Sequence, residues 1–68
     1  MTPRQVRDFV ASASLERIRE VLDRLPLLKI HSPALKELPA TEVDFLHDLR
    51  DHEALFRGLA DERLAKEA

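Results

Sequence analysis

Apolar residues recur every three or four positions along most of this 68-residue chain, and proline rather than glycine punctuates the pattern. That spacing lines up side chains on one face of a helix with 3.6 residues per turn. The chain is 44% hydrophobic and 35% charged with a single glycine, too apolar for a disordered chain and typical of a helix-rich one. The expected class is all-α, in one small domain over 1–68.

Thr2-Pro3-Arg4-Gln5 is a helix start. Thr2 can cap, Pro3 suits the first helical position, and Gln5 completes a capping box. Val6, Phe9, Val10 and Ala13 follow at helical spacing, then Leu15, Ile18, Val21, Leu22 and Leu25 on a stripe rotated from the first. The step falls at Ser12-Ala13-Ser14, which either bends one helix or caps a second at Ser14. The expectation adopted is one bent helix over about 3–25, stopped by Pro26. Ser32-Pro33 starts a short helical piece over 33–38, and Pro39 ends it. Thr41 then caps a last helix over about 41–66, with Glu42 and Asp44 favourable to its dipole. Phe45, Leu46, Leu49, Phe56, Leu59, Ala60 and Leu64 line one face of it, and Gly58 is the place for a kink.

Together these elements predict an antiparallel helical hairpin joined by a Pro-punctuated connector over 26–40. Without cysteine, a domain this small has no disulfide to support it. Its 21 Val, Ile, Leu and Phe residues exceed what two helices and a loop easily wrap. Dimerisation into a four-helix arrangement is the expected sink, with Phe45, Leu49, Phe56 and Leu59 as self-association residues. Leu27, Leu28 and Ile30 in the connector, and Leu55 on the polar side of the last helix, are the candidates for contact with a larger protein partner.

The residues point away from catalysis. No Cys-His or Ser-His-Asp arrangement can be built, because cysteine is absent and Ser12 and Ser14 sit within helical sequence. The one glycine supplies no phosphate-binding loop, and so small a chain has little room for a substrate pocket. His47 and Asp51, four apart on one helix face, could hold two positions of a metal, but a site needs a third ligand. A solvated acidic face is the better reading of that cluster, and His52 reads as a core-edge or interface histidine. No catalytic residue, metal or cofactor is expected.

Net charge is −2, distributed unevenly. Residues 1–36 carry seven Lys/Arg against four Asp/Glu, and residues 37–68 carry four against nine. The two halves can therefore attract each other. The basic half also supports an alternative, a small dimeric nucleic-acid-binding regulator using Arg17 and Arg24, which share a helix face. The acidic last helix opposes that reading, since phosphate would repel it. No apolar run approaches the roughly 20 residues that span a bilayer, and the first residues lack a leader's apolar segment, so a soluble, cytoplasmic protein is expected. The functional expectation is a small non-catalytic regulator or adaptor that masks a surface of a larger protein, as inhibitors, antitoxins and small chaperones do.

Overall fold

The computed structural model describes residues 1–67. It is all-helical: α1 (Pro3–Ser12), α2 (Leu15–Lys29), a 3-10 turn (Pro33–Glu37), α3 (Ala40–Arg50) and α4 (Glu53–Glu67). Each of the two long helices expected from periodicity is thus divided into two.

The first division has a local cause. The Ser14 hydroxyl accepts from the Arg17 N–H at 3.1 Å, capping α2, while Ala13 and Ser14 are extended. The rotated apolar stripe therefore belongs to a second helix and not to a bend in the first. The start of α1 follows the capping box: the Thr2 hydroxyl accepts from the Gln5 N–H at 3.2 Å, and the Gln5 side chain accepts from the Thr2 N–H at 2.8 Å. The second division falls at Asp51-His52 and not at Gly58, which lies inside an unbroken α4. The start of α3 also differs from expectation, since Pro39 occupies the cap position and Thr41 sits one residue inside the helix.

Pro26 does not stop α2, which continues for three further residues. Proline has no N–H for the Leu22 carbonyl and crowds that turn, at about 3 kcal/mol. What offsets this is burial. Leu25 and Leu28, on either side of Pro26, are in phase with Ile18 and Val21, and all four are buried. Each such side chain contributes roughly 1.5–3 kcal/mol. The helix ends instead at Ile30, where His31 takes a left-handed conformation (φ 49°) and the Ser32 N–H donates to the Leu27 carbonyl at 3.2 Å. This is a Schellman closure with histidine in the position glycine usually fills.

The core draws on every α-helix: Val6 and Val10 from α1, four residues of α2, Leu46 and Leu49 from α3, and Phe56 and Ala60 from α4. Phe9 joins three of these helices, its ring centroid 5.0 Å from Phe45 and 6.2 Å from Phe56, both tilted.

The arrangement is not an antiparallel hairpin. α1 packs chiefly on α4, and the two run in the same direction. At one end the His52 Nε2–H donates to the Met1 carbonyl at 2.7 Å; at the other, Arg63 Nη1 donates to the carbonyls of Val10 and Ala13. A helix leaves its last carbonyls without partners and carries partial negative charge there. α1 has no basic residue in its last turn, so the neutralising cation comes from α4.

Two stability measurements check this account. Arg63→Met keeps an apolar stem but leaves the carbonyls of Val10 and Ala13 without this donor, and should lower the urea-unfolding free energy by about 2–3 kcal/mol; Arg63→Lys should recover only part, because Nζ ends one bond short of Nη1 and an ammonium is more strongly hydrated. Gly58 is exposed, and a Cβ built there meets nothing within 4 Å. Gly58→Ala should therefore stabilise by about 1 kcal/mol and raise Tm by roughly 4–8 °C.

Candidate interaction surface

Two of the four residues expected to mediate self-association are enclosed by the rest of the chain. Leu49 and Phe56 are fully buried, and Phe45 and Leu59 are half-buried against the core. Dividing the chain into four helices supplies the surfaces that cover Leu49 and Phe56 within one copy. Leu28, expected to face a partner, is also buried, and Leu55 packs half-buried against the core. Of the four partner candidates, Leu27 and Ile30 remain.

Ile30 is 70% exposed, and Met1 is the only other large apolar side chain classed as exposed among the described residues. Leu27 is half-buried and stands three residues before Ile30, where helical spacing makes the two neighbours. Pro26, also exposed, lies four residues before Ile30 and extends the same patch. The left-handed turn at His31 fixes this corner, and Lys29 beside it pairs with Glu53 at 3.4 Å. Burial pushes the Glu53 carboxyl up, but hydrogen bonds and charge from Arg57 and Lys29 outweigh it, and the group lies below its ordinary value.

Arg17 and Arg24, singled out for phosphate, do share a face, but that face is turned onto α3. Arg17 donates to both oxygens of Glu42 (2.9 and 2.7 Å) and to Glu20 (2.7 Å). Arg24 donates to Glu20 at 2.7 Å and to Glu42 at 3.3 Å. The Arg17 guanidinium also lies 5.6 Å from the centroid of the Phe45 ring. Two cations thus alternate with two carboxylates, and their positive charge is balanced within the fold. The Arg17 hydrogen bonds hold the Glu42 carboxyl below its ordinary range against the opposing effect of burial, and the same contacts raise the Arg17 guanidinium. Sequence reading marked the arginines but not Glu42 as their partner. The signal available was the opposite charge of the two halves.

His47 and Asp51 are both exposed, and no group of three or more metal-ligating side chains converges among the described residues. His52 is half-buried and holds the chain's first residue through its ring. Among the described residues no helix is long and apolar enough to cross a membrane.

A second surface feature was not anticipated. A shallow groove of about 230 Å³ runs between α1 and α4, lined by Arg7, Val10, Ala11, Leu59, Glu62, Arg63 and Lys66.

No family model, curated protein or solved structure matches this chain.

The ion-pair network carries a pH signature. A carboxyl depressed in the folded state contributes stability that is fully present above its unfolded pKa, about 4.3, and is lost as pH falls through the folded value. Glu42→Gln should lower stability by about 1–2 kcal/mol at pH 7, discounted because both arginines are partly solvated. The gap to wild type should shrink below about pH 4.3 and close at pH values below the folded pKa, as followed by urea titrations across the acid range.

Proposed function

We propose that this protein is a small non-catalytic binding module that docks on a larger protein through the corner formed by Pro26, Leu27 and Ile30. The carrying observation is the 70% exposure of Ile30 in a chain that otherwise buries or half-buries its large apolar side chains, Met1 apart. A single exposed isoleucine is ordinary. This one stands on a helix end closed by a hydrogen-bonded left-handed turn, so its backbone is presented in a fixed position. A backbone already ordered before association loses little freedom on binding, which favours it. Masking a surface of the partner is the mode of action that suits a chain of this size.

Leu28 and Leu55 leave the partner surface because they pack inside the protein. Self-association is not part of the proposal: Leu49 and Phe56 are fully buried, while Phe45 and Leu59 are half-buried and Leu59 lines the groove between α1 and α4. The nucleic-acid alternative loses support because Arg17 and Arg24 are paired with Glu20 and Glu42.

The test is capture of the tagged protein from its native lysate with nuclease present, alongside Ile30→Asp. One protein recovered at near-equal stoichiometry with wild type, and depleted at least roughly tenfold with the variant (1.4 kcal/mol), is expected. The substitution lies on the surface and should leave the thermal melt nearly unchanged. Recovery of the same partner by both proteins, or of none by wild type, would remove the corner from consideration.

A further inference from the structure

The groove between α1 and α4 lies apart from the Ile30 corner and differs from it in chemistry. Its floor is apolar, formed by Val10, Ala11 and Leu59. Ala11 is exposed and carries only a methyl group, which leaves a notch between the two helices. The rim carries Arg7, Arg63 and Lys66 against one carboxylate, Glu62, a cationic edge on a chain whose net charge is −2.

We propose that this groove docks an acidic amphipathic peptide segment of another protein, which seats an apolar side chain in the notch at Ala11 and sets carboxylates against Arg7 and Lys66. The three cations have different parts. Arg63 is held by the carbonyls of Val10 and Ala13, pairs with Glu67 at 3.7 Å and serves as a fixed wall. Arg7 is exposed and has no ion-pair partner among the described residues. Lys66 pairs with Glu62 at 3.1 Å, but both side chains are more than 60% exposed (72% and 62%), and such a pair is weak enough to exchange for an incoming carboxylate. Glu62 on the rim repels the ligand, as does Glu67, whose carboxylate lies 3.7 Å from Arg63 Nε.

Size and charge select this occupant over others. At about 230 Å³ the groove is smaller than pockets that enclose drug-sized ligands, roughly 300–1,000 Å³, and suits one or two anchoring side chains. No aromatic residue lines it, so it offers no stacking platform for nucleic-acid bases. A second copy is a poor fit. Apart from Met1, the exposed large apolar side chain it could offer among the described residues is Ile30, and the adjacent Lys29 would bring a cation to a cationic rim.

The experiment pans a displayed pool of randomised helical peptides against the whole chain and measures survivors by fluorescence anisotropy and by amide chemical shifts. Survivors should be rich in Asp and Glu around a Leu, Met or Phe anchor. They should move the amides of Arg7, Val10, Ala11, Leu59, Glu62 and Lys66. Arg7→Glu and Ala11→Phe should each weaken binding at least roughly tenfold, the first by charge and the second by filling the notch, while Glu62→Gln should tighten it. All three positions are exposed, and an unchanged thermal melt verifies that each variant is folded. The proposal is overturned if no survivor binds, if survivors carry no excess of acids, or if acid-rich survivors bind Arg7→Glu as tightly as wild type. Displacement by a short single-stranded oligonucleotide at equal charge would replace it with a general anion surface. Displacement by octanoate would replace it with a small-amphiphile site. Concentration-dependent self-association abolished by Ala11→Phe would replace it with a homodimer contact. None of the peptide-binding results bears on Ile30, so this site and the corner stand or fall separately.

Discussion

The guanidinium of Arg63 holds the carbonyls at the end of α1, and the rest of the architecture depends on that contact. Two helices lying side by side in the same direction bring like ends of their dipoles together, which is unfavourable without a compensating charge. Arg63 places a cation where the negative end of α1 meets the flank of α4. At the opposite end His52 secures Met1. Held at both ends, α1 lays Val6, Phe9 and Val10 on the remaining helices and closes the core over Phe56 and Ala60. The tie also sets the width of the groove between α1 and α4, because the stem of Arg63 forms part of its wall.

The uneven charge along the chain has a physical outlet in the fold. Arg17 and Arg24 from the basic half meet Glu42 from the acidic half, and Lys29 meets Glu53. Opposite charges far apart in sequence come together where α2 crosses to the later helices. Glu42, whose side chain is 13% exposed, is the most enclosed member of these pairs, and it accepts from both arginines. A carboxylate in that position must be matched in charge and hydrogen bonding, or its burial is destabilising.

Elements governed by neighbouring residues were legible in the sequence. The Thr2 capping box, the Ser32-Pro33 turn and the i,i+4 pairs Glu53–Arg57 and Glu62–Lys66 all rest on contacts within one helical turn. The helical class followed from apolar period alone. Three features were hidden for distinct reasons. The break at Asp51-His52 lies in a polar gap between Leu49 and Phe56, a separation of two helical turns, so the stripe resumes in phase and conceals it. Pro26 follows the general rule that proline ends helices, but Leu28 burial outweighs the rule here. Arg63 carries no signal in the sequence, because its partners lie some fifty positions away and nothing local marks them. The candidate surface was legible in part. Leu27 and Ile30 were identified by their apolar character, whereas which members of that segment are covered depends on packing, and the groove depends on two helices meeting.

The parallel seating of α1 on α4 also orders events in time. A chain made from its first residue onward completes α1 early, yet the side chain that caps it, Arg63, is incorporated 53 residues after Val10. At roughly 5–20 residues per second, α1 waits several seconds for its seat. During that interval a ten-residue helix is marginal in water, and Val6, Phe9 and Val10 have no core to enter. The first helix of the sequence is in this sense the last piece of the tertiary structure, and the intervening helices must assemble a site for a segment that already exists.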